Sequence, residues 1–300
     1  MKHAFLIMAH NEPAVLRTLL AMLDDPRNDV YLHIDRRADA LRKEMEGTRL
    51  RRAGLHVVSR PLRAYWGDIS LVEIEYLLLE AASSVCAYDY YHLLSGTDLP
   101  IQTQDTIHAF FRAHAGREFV SYWHGPWHDR DLDRKVSRYY FLTRHLKRSH
   151  SPWHAVAAPL HNLALLVQKV FGLRRRHEVE FRKGAQWFSI THGFCRYLIG
   201  HKDFVLRRFR HTLCPDEIFV QTLLWNSPFR NRIYNAEDDN TGNMRLIDWQ
   251  RGNPYTWRDE DWEELRQSDK LFARKFSGEQ AALLRRLEAS YAPAAGSPEV

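Results

Sequence analysis

The chain alternates short, unbroken apolar runs with longer segments whose apolar residues recur every three or four positions. Residues 4–9 form the first run, and 30–34, 55–59, 90–94 and 118–122 repeat it. Runs of this length bounded by turn residues read as buried strands. Between them, residues 13–23, 40–52, 70–83 and 105–114 have helical spacing. Pro13 suits a first helical turn, and Ser70 followed by Glu73 suits an N-cap with its capping-box partner. Strands alternating with helices predict a Rossmann-type α/β fold, a mostly parallel central sheet flanked by helices. Ligands of such sheets bind beyond the carboxyl ends of the strands. His10, Asn11, Asp35 and Asp98 fall at those ends.

After residue 122 the pattern changes. Residues 123–183 are basic and aromatic and carry the cluster Arg174-Arg175-Arg176. Within them, 153–171 is apolar with helical spacing, which fits either burial in the core or contact with an anionic membrane surface. The segment reads as a basic helical insertion or lid. Strand-like signal returns at 186–191, followed by a helix or broken pair over 193–211 and a helix over 215–225 opened by Pro215. A short strand over 244–249 leads through a Gly-Pro loop to a final helical region, and 292–300 reads as a frayed tail. The expected organisation is one domain over 1–300, with a nucleotide-binding half (1–122), the insertion (123–183) and an acceptor and catalytic half (184–300).

Charge and cysteine content narrow the partners. A formal charge of +6 suits an anionic one: a nucleotide diphosphate, nucleic acid or an acidic membrane. The chain has no recognised nucleic-acid module, so a nucleic-acid-binding protein stands as the alternative reading and no nucleic-acid partner is expected. No stretch approaches the roughly 20 apolar residues of a membrane span, and the first residues are too short for a signal peptide. Three cysteines without a Cys-x-x-Cys pair suit a reducing compartment. The expected location is the cytoplasm, peripheral to the inner face of the membrane.

Candidate chemistry comes in pieces, each with a plainer reading. No Gly-x-Gly-x-x-Gly or Walker loop follows the first strand. Ala9-His10-Asn11-Glu12 could hold a nucleotide base or cap the next helix. Asp35 could accept bonds from a base or ribose, or serve as a strand-end turn residue. Ser95-Gly96-Thr97-Asp98 offers one carboxylate where many nucleotide-sugar enzymes keep a metal-binding Asp-x-Asp pair. The triplets at 129–131, 131–133 and 259–261 read as solvated faces. His92, His124 and His128 lack zinc-site spacing. Pro215-Asp216-Glu217 either meets a helix dipole or supplies a general base whose proton affinity burial raises. Leu271-Phe272-Ala273-Arg274-Lys275-Phe276 is either a helix end with snorkelling cations or a metal-free neutraliser of pyrophosphate.

In their order along the chain these pieces resemble one family: the core-2/I-branching β-1,6-N-acetylglucosaminyltransferases and peptide O-xylosyltransferases. The resemblance runs through Ala9-His10-Asn11, Leu32-His33-Ile34-Asp35, Tyr65-Trp66-Gly67 and the stretch from Tyr91 to Thr103. It resumes at Gly184-Ala185-Gln186-Trp187-Phe188, Pro215-Asp216-Glu217, Leu246-Ile247-Asp248-Trp249 and Phe272-Ala273-Arg274-Lys275-Phe276. It implies a GT-A-like fold, a UDP-sugar donor, a glycan or glycoconjugate acceptor, a β-linked product and no divalent metal or other cofactor. Glu217 matches the catalytic base, Lys275 the cation on the diphosphate, and Arg251 or Arg274 a second phosphate ligand. Trp187, Asp216 and Trp249 fall on the acceptor side. His10, Asn11, Asp35, Trp66 and Asp98 fall on the donor side. The eukaryotic members carry a membrane anchor and disulfides, so this chain is expected to be a soluble, bacterial-type member acting in polysaccharide biosynthesis. A non-catalytic sugar-binding relative is the remaining alternative, against which Glu217 and Lys275 speak.

Overall fold

The computed structural model describes residues 1–147, 152–239 and 241–293. From 294 onward the expected frayed tail lies outside the described residues. The first apolar run forms strand β1 (His3–Ala9), every residue of it buried. Its side chains alternate: Ala4, Leu6 and Met8 enter one hydrophobic cluster, and Phe5, Ile7 and Ala9 enter another. A strand covered on both faces must be apolar throughout, which is why the sequence reads as a run. Helix α1 (Pro13–Met22) follows, then β2 (Asn28–Ile34), α2 (Asp39–Met45), β3 (Gly54–Val57), α3 (Ser70–Val85) and β4 (Tyr90–Ser95). β1 pairs in parallel with β2 and β4, and β2 with β3.

Two local expectations need correction. Helix α2 stops near Gly47, whose φ of 76° is left-handed, instead of continuing to 52. Ser70 does not cap α3. Its Oγ accepts from Tyr65 N at 3.0 Å, while Asp68 Oδ1 accepts from Ser70 N at 3.0 Å, so the preceding turn satisfies the helix start.

Strand β5 (Asp98–Pro100) leaves the main sheet, and α4 (Gln104–Ala113) leads to a two-residue edge strand, β6 (Phe119–Val120). The insertion contributes α5 (Pro126–Ser137) and α6 (His154–Val170), and the chain re-enters the sheet at β7 (Phe188–Thr191). The sheet order is β3-β2-β1-β4-β7-β6. β7 runs antiparallel to both β4 and β6, so the sheet is mostly parallel with an antiparallel edge. The 193–211 segment is a broken pair, α7 (His192–Gly200) and α8 (Lys202–Phe209). The helix expected over 215–225 is divided: Pro215–Glu217 is a single 3₁₀ turn, and α9 (Phe219–Trp225) begins after Ile218.

The closing segment is not wholly helical. It contains β8 (Arg245–Ile247), α10 (Trp262–Gln267), β9 (Phe272–Arg274) and α11 (Ala281–Tyr291). A second, three-stranded sheet has the order β5-β9-β8. Its antiparallel register sets Asp98 opposite Arg274. The segment preceding Lys275 is therefore a strand, not a helix end. The apolar part of the insertion is also not core: α6 buries Ala157, His161 and Gln168 and exposes most of its aliphatic residues. Among the described residues, no helix is long and apolar enough to cross a membrane.

Candidate functional site

Beyond the carboxyl ends of β1 and β2, where the strand order reverses between β1 and β4, lies a cavity of about 340 Å³. This is the switch point at which doubly wound sheets take ligands. His10 and Asn11 line it from the loop after β1, and Asp35 from the end of β2. Burial lowers the basicity of His10, and Lys275 and Arg37 add to that while Asp35 opposes it. Asp35 is committed to the protein. Its Oδ1 accepts from Arg37 N and Nε at 2.7 and 3.1 Å, and its Oδ2 from Ala64 N and Arg37 Nη2 at 2.8 and 3.0 Å. These four donors match the carboxylate's capacity. Burial raises its proton affinity, yet the donors from Arg37 and Ala64 win and hold its pKa below the usual range. The residue pins the loop that carries Trp66.

Lys275, Arg274 and Trp187 line the opposite wall of this cavity. The Arg274 guanidinium lies 4.2 Å from the centre of the Trp187 ring, and its Nε lies 3.5 Å from Asp98 Oδ1. Asp98 does not itself line the cavity. It is buried, and it accepts from Ser95 N at 2.8 Å and from Ser95 Oγ at 2.6 Å. A lone carboxylate bonded to its own turn and to an arginine acts as that arginine's counter-ion. Trp187, expected on the acceptor side, lines this first cavity as the platform under Arg274.

A second cavity of about 600 Å³ adjoins the first, and Trp66 lines both. Gly67, with φ 74°, lets the Trp66 loop turn against Cys214, whose N–H donates to the Gly67 carbonyl at 3.0 Å. Three further tryptophans, Trp123, Trp127 and Trp249, line this cavity together with Glu217. Aromatic faces around one carboxylate suit a polyhydroxylated ligand with an apolar ring face.

Glu217 sits in a network that the sequence did not reveal. Lys135 Nζ donates to Glu217 Oε2 at 3.0 Å, and Lys183 Nζ is 3.6 Å from the same atom. Both lysines also reach Asp131 Oδ2, at 3.1 and 2.6 Å, and Arg134 Nη2 donates to Asp131 Oδ1 at 2.7 Å. Asp131 and both lysines are buried. Asp131 is thus not on a solvated face, whereas Asp129 and Asp133 of the same triplets are exposed. The amines pull the Asp131 carboxyl well below its ordinary range, overcoming the opposing effect of burial. Among the described residues, nothing donates a hydrogen bond to Glu217 Oε1. The main chain is fixed as well: Gly184 N donates to the Glu217 carbonyl at 3.0 Å.

Asp216, expected on the acceptor side, does not line this second cavity. It is buried, and its Oδ1 has no hydrogen-bond partner. Burial first, and the neighbouring charge of Glu217 second, push its pKa up to about 7. Glu75 is likewise buried. Burial and the charge of Asp216 raise it well above its ordinary range, although Gln186 Nε2 donates to its Oε1 at 2.7 Å. The folded Asp216 therefore holds its proton more tightly than the unfolded residue, whose ordinary pKa is 3.8. Its contribution to stability is present at low pH and is lost as pH rises through about 7. Asp216→Asn should abolish that loss. Thermal melts of both proteins at about pH 5 and about pH 8 should converge or cross, with the variant gaining relative to wild type at the higher pH. Parallel shifts would remove the buried-proton assignment.

Arg251 is not brought to the donor cavity. It lines an open cleft that shares Pro254 and Lys275 with the first cavity, and it is held by Asp248, by Asp261 Oδ1 at 2.9 Å and by Glu264 Oε2 at 2.8 Å. Arg274 is the arginine that stands with Lys275. His92 lies in the core against His3, whereas His124 pairs with Asp239 at the surface.

Comparison with known proteins places these features in a family context. The family model described as "Branch: Core-2/I-Branching enzyme" matches residues 3–270. Xylosyltransferase oxt of Drosophila melanogaster is 23% identical over 297 residues, covering 92% of this chain and 32% of that protein. Xylosyltransferase 2 of Homo sapiens is 24% identical over 295 residues, covering 91% of this chain and 31% of that protein. The chain spans about a third of the length of these curated relatives. The crystal structure of mouse xyloside xylosyltransferase 1 in its apo form aligns with 91% of this chain and 97% of that one, at 10% identity and a TM-score of 0.37. A likeness that slight carries no argument.

Proposed function

Because this chain belongs to the Core-2/I-branching enzyme family, we propose that it is an inverting, metal-independent glycosyltransferase that moves a sugar from a UDP-sugar to a glycan hydroxyl, with Glu217 as general base. The observation that carries this reading is the pair of cavities meeting at Trp66, one walled by Arg274 and Lys275 and the other holding Glu217 among tryptophans. A diphosphate beside the two cations and an acceptor sugar beside the carboxylate would face each other across that ring.

The reaction follows from these roles. The acceptor hydroxyl gives its proton to Glu217 as its oxygen bonds the anomeric carbon. The bond from that carbon to the UDP oxygen breaks, and its electron pair stays on the diphosphate. Attack opposite the leaving group turns an α-linked donor into a β-linked product, the geometry in which inverting glycosidases also set a carboxylate base. The leaving diphosphate needs no general acid. Arg274 and Lys275 neutralise the charge it gains, as fixed cations stabilise developing charge in other transfer reactions. Lys135 and Lys183 serve a different group: both approach Glu217 through Oε2 and leave Oε1 without a donor among the described residues.

UDP-xylose is the first donor to test because the curated relatives are named xylosyltransferases. UDP-N-acetylglucosamine and UDP-glucose are the comparators. With the preferred donor and a glycan acceptor, UDP release is expected to continue at an unchanged rate in excess EDTA. A strict requirement for added Mn²⁺ would contradict the assignment of phosphate neutralisation to Arg274 and Lys275.

A further inference from the structure

Helix α6 is amphipathic in the inverted sense. Its inward side carries polar residues that bond to the neighbouring backbone. His161 Nδ1 bonds to the Phe141 carbonyl at 2.6 Å, and Gln168 both donates to the Tyr139 carbonyl at 2.9 Å and accepts from Tyr139 N at 2.7 Å. Its outward side carries Val156, Leu160, Leu163, Val167 and Val170, all exposed. These residues recur at the spacing of one helical face. Trp153 and Phe171 extend the stripe at its two ends, at 66% and 72% exposure. A water-soluble surface rarely leaves a contiguous aliphatic stripe unpartnered.

The sequence around the stripe carries charge of one sign. Between residues 134 and 177 the sequence has ten Lys or Arg residues and no Asp or Glu. Not all of these cations are available: Arg175 is tucked against Thr212, and Arg174 pairs with Asp133. Lys169 and Arg176 are exposed beside the C-terminal end of the stripe. With 17 residues, α6 is about 25 Å long, and it is not apolar enough to cross a bilayer. An apolar face rimmed by cations on a helix of this kind is suited to lying in the plane of a membrane interface.

We propose that the outward face of α6 docks this protein on an anionic lipid bilayer, with the helix lying parallel to the surface. A second copy of the chain is a poorer occupant, because a symmetric contact would bring the two cationic rims together. The proposal does not depend on the reading of Glu217.

The test uses the full chain and two kinds of vesicle, phosphatidylcholine alone and phosphatidylcholine with about 30% phosphatidylglycerol. The wild-type protein should co-sediment about tenfold or more strongly with the anionic vesicles. The double variant Leu160→Glu, Leu163→Glu should lose that binding. Both changes are at exposed positions, and an unchanged circular dichroism spectrum and UDP-release rate on a soluble acceptor would show that the fold is intact. Lys169→Glu, Arg176→Glu should weaken binding to anionic vesicles and make what remains less sensitive to salt. The proposal is overturned if the wild-type protein ignores both vesicles, if the leucine variant binds as well as wild type, or if light scattering shows a dimer that the leucine variant converts to monomer.

Discussion

Glu217→Gln is expected to lower turnover by about 100- to 10,000-fold, the range a positioned general base supplies, while UDP affinity stays within about twofold. The distance from the donor cavity explains the second half of that expectation. Glu217 lines only the cavity with the tryptophans, and Arg274 and Lys275, the residues proposed to meet the diphosphate, line the other. Glutamine keeps the shape of the side chain and can still accept from Lys135 through its amide oxygen. It cannot take a proton from a sugar hydroxyl. The substitution also leaves Lys135 and Lys183 with Asp131 as their one remaining carboxylate among the described partners, so a thermal melt must accompany the kinetics. Loss of turnover in a folded protein that still binds UDP supports the base. Turnover like that of wild type would sink it.

The second large effect is expected from a residue with no side chain. A Cβ added to Gly184 would lie 1.9 Å from the Ser121 carbonyl oxygen and 2.7 Å from its carbon. Those are backbone atoms and cannot rotate aside. Ser121 also accepts from Ala185 N through its Oγ at 3.0 Å, so the two segments are bound together at the point of collision. Gly184→Ala should therefore cost about 1–3 kcal/mol or more, as overpacking does. Because Gly184 N holds the Glu217 carbonyl, the displacement passes directly to the base. A misplacement of about 1 Å can cost about 100-fold in rate. The variant should melt earlier and turn over slowly even where it is fully folded. A wild-type melt together with wild-type turnover would show that the segment can move apart without consequence.

The parts of this molecule that the sequence made legible are those with long, regular patterns. β1 is a run of apolar residues because both of its faces are covered, and His10 and Asn11 could be placed at its end for that reason. The small sheet escaped because β5, β8 and β9 have only three residues each, too few for alternation to show. Lys275 was singled out, yet the register that sets Arg274 against Asp98 could not be inferred. The network around Glu217 escaped for another reason. Asp131 and Lys135 are separated by one helical turn, which on most helices is a solvated pair. Nothing in their spacing says that Lys183, about fifty positions later, closes over them. Burial of a charge cluster is a tertiary fact. The signal that could have hinted at it was Trp123 and Trp127, four positions apart beside Asp131, because large aromatic residues seldom flank a fully hydrated charge.

Arg251 orders a loop through contacts within the protein. Its guanidinium joins Asp248, Asp261 and Glu264, and lies 4.3 Å from the centre of the Tyr255 ring and 5.2 Å from that of Trp257. The segment it ties together carries Trp249 and Asn253 to the acceptor cavity and Pro254 to the donor cavity. A wall that is ordered during folding does not have to be ordered again when a sugar arrives, so the entropy of immobilising it is not subtracted from the affinity of each new ligand. By that route the ion pairs of Arg251 would make both cavities rigid receptors.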